Sequence, residues 1–165
     1  MKIDRPGTAR VLTDDEAAAF VARERSAGRR IVFTSGAFDL LHPGHVRYLQ
    51  DARALGDVLI VGLNADESVS RNKGPGRPIT PQGERAEVLA ALSSVDAVVI
   101  FPEDTPVAII RRVQPDILVN RAEWPADQIV GRHTVEARGG RVVTLPAAQG
   151  HSTASIVERV KNALK

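Results

Sequence analysis

The chain has 165 residues, 43% hydrophobic and 25% charged, the balance of one globular domain spanning 1–165. Its 22 Lys and Arg against 20 Asp and Glu leave a net charge of +2, too even for a basic nucleic-acid-binding stripe. The absence of cysteine excludes disulfides, thiolate nucleophiles and Cys-based zinc sites, and no apolar run nears the ~18 residues of a membrane span. The expectation is a cytoplasmic domain without nucleic-acid or membrane partners, with residues 1–10 loose.

In chain order, Thr13-Asp14-Asp15-Glu16 caps a predicted helix that Gly28 ends. Ile31 to Thr34 reads as a buried strand, and Val46, Leu49, Ala52 and Leu55 carry helical spacing closed by Gly56. Asp57 to Asn64 is almost continuously apolar, as for a strand covered on both faces. Arg71 to Pro78 is rich in Gly and Pro and predicts a loop. Thr80-Pro81 opens a helix to about Leu92, Asp96 to Phe101 predicts a strand, and Thr105-Pro106 opens a helix to about Val113. A strand over Asp116 to Asn120, a helix over Asp127 to Arg138, a strand over Arg141 to Leu145 and a helix over Thr153 to Leu164 follow. Five strands alternating with helices predict a Rossmann-like, doubly wound α/β fold, with a five-stranded parallel sheet and helices on both faces. Ligands then belong at the carboxyl ends of the strands.

The stretch from Thr34 to His45 lies at that edge, between the first predicted strand and a helix. His42 and His45 stand three apart across Gly44 and share one side of the helix start. Two N–H donors beside a helix N-terminus suit a phosphoryl group gaining charge in its transition state. Gly44 leaves room for a phosphate to approach the backbone. A zinc site lacks a third ligand at suitable spacing, so no metal held by protein side chains is expected. Of the 22 basic residues 18 are Arg, and Lys73 is the one lysine away from the chain ends. A flexible ammonium there can follow departing phosphates as a mobile point charge.

The run Gly36-Ala37-Phe38-Asp39-Leu40-Leu41-His42-Pro43-Gly44-His45 resembles the first signature of the H-x-G-H nucleotidyltransferases. That family includes cytidylyltransferases and several adenylyltransferases. The likeness continues through Asn64-Ala65-Asp66-Glu67-Ser68-Val69, Lys73-Gly74-Pro75-Gly76-Arg77-Pro78, Glu103-Asp104-Thr105-Pro106 and His151-Ser152-Thr153-Ala154-Ser155-Ile156. The combination looks most like the D-glycero-D-manno-heptose 1-phosphate adenylyltransferase domain, which many bacteria fuse to a heptose kinase and which is expected to stand alone here.

The resemblance implies transfer of AMP from ATP to a sugar 1-phosphate, with Mg²⁺ bridging phosphates and a homodimeric assembly. It makes His42, His45 and Lys73 the catalytic candidates. It implies nucleotide contacts from Gly36, Ala37, Phe38, His42, Gly44, His45, Arg77, Arg85, Asn120, Trp124, Ser152 and Thr153, and substrate contacts from Asp39, Asn64, Asp66 and Lys73. Local chemistry leaves other roles open. Asp39 orients a histidine, binds hydroxyls or caps its turn; Arg77 pairs with phosphate or stiffens the loop; Asn64 and Asp66 hold sugar hydroxyls, cap the next helix, or both. Arg85 reads locally as a surface charge, and Ser152 and Thr153 as the cap of the last helix, where they also suit phosphates.

Val119-Asn120-Arg121-Ala122-Glu123-Trp124 departs from the family's usual Val-Lys-Gly-Gly-Asp followed by an aromatic, and Arg121 offers a positive charge one residue beyond the missing lysine. The alternatives kept are a cytidylyltransferase for glycerol 3-phosphate or a similar alcohol phosphate, and a nucleotide-binding module without turnover.

Overall fold

Six strands rich in β-branched residues lie parallel in one sheet, in the order β1-β4-β3-β2-β5-β6. They are β1 (Arg10–Leu12), β2 (Ile31–Gly36), β3 (Val58–Asn64), β4 (Ala97–Phe101), β5 (Ile117–Arg121) and β6 (Arg141–Leu145). The helices are α1 (Asp14–Ser26), α2 (Pro43–Arg53), α3 (Asp66–Lys73), α4 (Gln82–Ala90), α5 (Val107–Val113), α6 (Arg132–Glu136) and α7 (Thr153–Ala163). The computed structural model describes residues 9–123, 125–146 and 150–165.

Alternation along the strands divides the core between two faces. Ile31, Phe33, Ile60 and Val99 pack with Ala17 and Val21 of α1 and with Ile109, Ile110 and Val113 of α5. Val32, Leu59, Val61 and Val98 pack with Tyr48, Leu49 and Ala52 of α2 and with Ala86 and Leu89 of α4. Both faces of the central strands are thus dry, as parallel sheets require. The chain runs outward from β2 through β3 to β4, then returns to place β5 on the other side of β2. The switch point therefore lies between the carboxyl ends of β2 and β5, the position where such sheets take ligands.

Three differences from the sequence reading have local causes. The sheet has six strands rather than five, because Arg10–Leu12 pairs in parallel with β4 at the edge. Three residues are too few to show a hydrophobic period. The predicted loop at 71–78 begins later: Arg71 to Lys73 end α3, and Gly74 stops it at φ 92. Acidic Asp66 and Glu67 in its first turn and basic Arg71 and Lys73 in its last suit the helix dipole. The single helix predicted over 127–138 is instead a 3-10 turn at Ala126–Gln128 and the short α6, divided by Gly131 at φ 88.

Carboxylates fix the amino ends of the strands. Asp116 Oδ2 accepts the Ile31 N–H at 2.7 Å, Asp96 Oδ2 accepts that of Leu59 at 2.7 Å, and Asp57 Oδ2 accepts that of Arg30 at 2.8 Å. Each of these aspartates immediately precedes or lies within one residue of a strand start, so the side chain closes the ladder of its neighbour.

Gly140 meets the same edge closely. A Cβ there would stand 2.7 Å from Val135 Cγ1 and 2.8 Å from the Asp116 carbonyl oxygen, which itself accepts the Arg141 N–H at 2.9 Å. The backbone cannot yield without losing that bond. Gly140→Ala is expected to lower stability by about 1–3 kcal/mol in urea unfolding, the usual cost of overpacking; an unchanged midpoint would show that the β6 start relaxes freely.

Candidate active site

The turn after β2 builds the centre of the site. Phe38 adopts φ 44, a left-handed conformation rare outside glycine, and its ring crosses Gly36 so that a Cβ there would lie 3.1 Å from Phe38 Cε2. His42 then becomes the N-cap of α2, with Pro43 opening the helix. The His42 Nδ1 accepts the His45 backbone N–H at 3.3 Å, which leaves Nε2 as the protonated, donating nitrogen of a neutral ring.

The His42 and His45 rings stack at 3.8 Å between centroids and 22° between planes. Phe38 flanks His45 at 5.2 Å, and His151 continues the stack 6.3 Å from His42. Both imidazoles of the motif are buried. Burial first, then the nearby charges of His42, Arg121 and Lys73, push the His45 pKa down to about 3, against a slight opposing pull from the Leu40 backbone. Burial, with Arg121 and His151, also lowers that of His42. His45 Nδ1 is buried without a hydrogen-bond partner, an expensive condition. The pair is therefore neutral at physiological pH and can donate to an anion without surrendering a proton to it.

A polar pocket opens beside these rings. Gly36, Ala37, Phe38, Asp39, His45, Lys73, Asn120 and Thr153, all candidates from the sequence, line it, together with Ser35, Tyr48, Arg121 and Glu123, which were not among them. Tyr48 follows His45 by three residues, a helical neighbour, and its hydroxyl is 2.8 Å from Thr34 Oγ1. Arg121 and Glu123 follow from the end of β5 at the switch point, and His151 from its place just before α7. Burial, with Arg77 adding to it and Asp39 opposing it, lowers the Lys73 pKa.

Arg77, Arg85, Asn64 and Asp66 do not line this pocket, and Asp39, which does, is tied up internally. Asp39, whose side chain is 1% exposed, accepts the Ile79 and Thr80 N–H groups at 2.8 and 2.9 Å and the Arg77 guanidinium at 2.7 Å. It ties the β2–α2 turn to the 77–80 loop and commits Arg77 to that tie. These bonds outweigh its burial and hold its carboxyl below the usual range. Arg85 is wholly buried, not a surface charge, and donates to the Thr80 and Ala37 carbonyls and to Asp66 Oδ1. Asn64 donates to Ser68 Oγ at 2.9 Å. Neither Asn64 nor Asp66 caps α3: Ala65 holds that position with no side-chain bond, and Asp66 sits in the first turn. Gly44 is buried in the first turn of α2, and Ser152 is the N-cap of α7, in a capping box with Ser155. Trp124 lies outside the described residues.

Two further clefts adjoin the polar pocket. One shares Phe38 and Asp39 with it and is otherwise mainly apolar, with Leu40, Leu41, Val88 and Ile156. The other shares Ser35 and Asn120, has an apolar floor of Ile110, Leu118 and Ile129, and carries Asp104, Thr105 and Gln128. Among the described residues no group of three or more His, Asp or Glu converges as a metal cage. Glu123 places one carboxylate at the pocket wall. No helix among the described residues is long and apolar enough to cross a membrane.

Comparison with known proteins agrees with this geometry. The chain is 53% identical over 146 residues to the Bifunctional protein HldE of Citrifermentans bemidjiense, an alignment covering 88% of this chain and 30% of that protein. The chain thus spans about a third of the length of the curated relatives it matches. The crystal structure of the lipopolysaccharide core biosynthesis protein from Thermoplasma volcanium superposes with a TM-score of 0.61 at 28% identity, covering 75% of this chain and all of that one. Pantothenate synthetase from Thermus thermophilus shares the fold, with a TM-score of 0.63 at 16% identity over 94% of this chain and 70% of its own. Residues 33–159, which contain the imidazole stack, the polar pocket and the switch point, match the family described as Cytidylyltransferase-like, and the chain belongs to that family.

Proposed function

We propose that this protein transfers AMP from ATP to D-glycero-β-D-manno-heptose 1-phosphate, forming ADP-heptose and releasing pyrophosphate. The observation that carries this reading is the stacked neutral pair His42–His45 at the start of α2, of which His45 lines a pocket that also holds Lys73. An oxygen of the sugar phosphate attacks the α-phosphorus in line; the bond to the β-phosphate bridging oxygen breaks, and pyrophosphate departs with those electrons. No covalent enzyme intermediate is needed, because the attacking phosphate is already anionic. Positioning and charge stabilisation are what the protein supplies.

In this reading the His42 and His45 N–H groups stabilise charge on the α-phosphoryl oxygens. Lys73 and the start of α7 at Ser152 and Thr153 hold the β- and γ-phosphates. The cleft with apolar Leu40, Leu41 and Ile156 takes the base, and that with Asp104, Thr105, Asn120 and Gln128 takes the sugar, whose hydroxyls need such partners. Asp39 and Arg85 form part of these walls, Arg77 and Asp66 brace them through ion pairs, and Asn64 holds Ser68 of α3. Mg²⁺, when bound, neutralises phosphate charge. The choice of heptose rests on the resemblance of the Lys73–Pro78 and Glu103–Pro106 segments, together with the 53% identity to a bifunctional HldE protein. A cytoplasmic site of action, where ATP is available, and a homodimer belong to the same proposal. Val88 is half exposed in a groove with Leu41, Val46 and Leu92, which His42 also lines, and a second copy covering it would adjoin the site.

A pyrophosphate-release screen crossing ATP, CTP and GTP with heptose 1-phosphate, glycerol 3-phosphate and other sugar phosphates tests it. The expected result is release with ATP and heptose 1-phosphate well above every other pairing. Preference for CTP with glycerol 3-phosphate would replace the reading with that of a cytidylyltransferase, and ATP binding without release from any acceptor would make the chain a binding module.

A further inference from the structure

Most of the arginines around the carboxyl edge are already committed. Arg77 is bound to Asp39, Arg85 to Asp66 and two carbonyls, and Arg71 to Asp104 and the Pro102 carbonyl. The two cations lining the polar pocket differ: neither the Lys73 ammonium nor the Arg121 guanidinium forms a hydrogen bond or ion pair with another described residue, the one side-chain bond at Arg121 being its backbone N–H to Asn120 Oδ1. Lys73 closes α3, on one side of the pocket. Arg121 is the last residue of β5, across the switch point from it.

The Arg121 guanidinium lies over the Tyr48 ring, 5.4 Å from its centroid. A guanidinium on a ring face is held by the aromatic quadrupole while its N–H donors stay available at the edge. Tyr48 is itself fixed, buried and bonded to Thr34, so the platform is rigid. The Arg121 charge is felt at His42, His45 and Lys73 alike, lowering the proton affinity of each. Glu123 is the carboxylate lining the pocket that has no such tie, and one negative charge does not balance two positive ones. Two cations without side-chain partners, on opposite sides of a pocket that His45 also lines, form a cradle for an anion of high charge.

We propose that Arg121 is a phosphate-binding residue of this site, gripping triphosphate oxygens from the β5 side while Lys73 does so from the α3 side. This rests on the nucleotidyl-transfer reading, and it assigns a specific ligand contact to a residue that the sequence reading left without one. A planar, bidentate donor on this wall also fixes the orientation of the phosphate chain, which a lysine alone does not.

Direct titration of the whole protein with ATP, adenosine and inorganic pyrophosphate, without acceptor, tests the assignment in Arg121→Ala and Arg121→Lys. Arg121→Ala is expected to weaken ATP and pyrophosphate about 10- to 100-fold, the worth of a charge-assisted hydrogen bond, and to leave adenosine within about twofold. Arg121→Lys recovers part of the loss, and the salt dependence of ATP binding becomes shallower in the alanine variant. In turnover the KM for ATP rises while that for the acceptor holds. Unchanged ATP affinity in Arg121→Ala, or a loss confined to the acceptor KM, overturns the proposal. Should the alanine variant melt early, the lysine variant decides: ATP and pyrophosphate affinity lowered severalfold with adenosine unchanged supports the contact, and full ATP affinity there, or a loss equal for adenosine and ATP, overturns it. A wild-type protein that binds ATP but leaves heptose 1-phosphate unreacted defeats the proposed acceptor alone, because the ATP comparison still reads Arg121.

Discussion

His45→Ala is expected to lose about 10²–10³-fold in kcat with the fold intact. The figure is that of removing one well-placed donor from a developing oxyanion, about 2.7–4 kcal/mol of transition-state stabilisation. His45 stands in the first turn of α2, lines the polar pocket and carries a buried Nδ1 with no partner. Truncation relieves that orphaned group and also opens a small cavity, two effects of opposite sign and each about 1–3 kcal/mol, so the melting temperature should move little. Pyrophosphate-release kinetics beside a thermal melt separate the two quantities. Near-normal turnover would remove His45 from the reaction.

The same residue shapes the acid side of stability. Its pKa falls from 6.5 to about 3 on folding, so between those values the unfolded chain holds a proton that the folded chain does not. Stability is therefore complete above about pH 6.5 and declines as the pH falls through that window, and the lowered pKa of His42 contributes with the same sign. In His45→Ala the acid decline becomes shallower.

Arg85→Ala is expected to cost about 3–5 kcal/mol, from the cavity it leaves and the two buried carbonyls it strands. The Arg85 side chain is 0% exposed, whereas its partner Asp66 is 39% exposed and rehydrates on losing it. The larger damage falls on the Ala37 and Thr80 carbonyls, which lose their charged donor, and on the cavity left between α4 and the phosphate-side turn. For a chain of this size the loss corresponds to a fall of roughly 6–20 °C in Tm. Arg85→Lys restores little, because an ammonium cannot span three divergent oxygens. A variant that melts like the parent but no longer binds ATP would instead make Arg85 a direct nucleotide ligand.

The doubly wound architecture was legible because the strands are long apolar runs and the helices carry ordinary capping signals, as at Thr13 and Ser152. The edge strand at Arg10–Leu12 and the break at Gly131 were not, since the first is set by pairing with β4 and the second by one left-handed residue. At the site, the motif His42–His45 and the isolated Lys73 could be read directly from spacing and composition. The separate fates of Asp39, Arg77 and Arg85 could not. Each is a charged residue near a ligand edge, and only the folded chain decides whether its partner is internal. Tyr48 illustrates the converse: it belongs to no motif, and Arg121 was legible only as a displaced positive charge, yet strand β5 and the face of α2 bring them together.

The aspartates that close the amino ends of the strands also bear on how such a protein can change. Register is secured at one rim by Asp57, Asp96 and Asp116, while the opposite rim holds the imidazoles and the unbalanced cations. Alterations around Asn120 or Asp104 can therefore reshape a cleft wall without loosening strand alignment. Exchanging a single one of the clamping carboxylates threatens every ligand at once, whatever its chemistry.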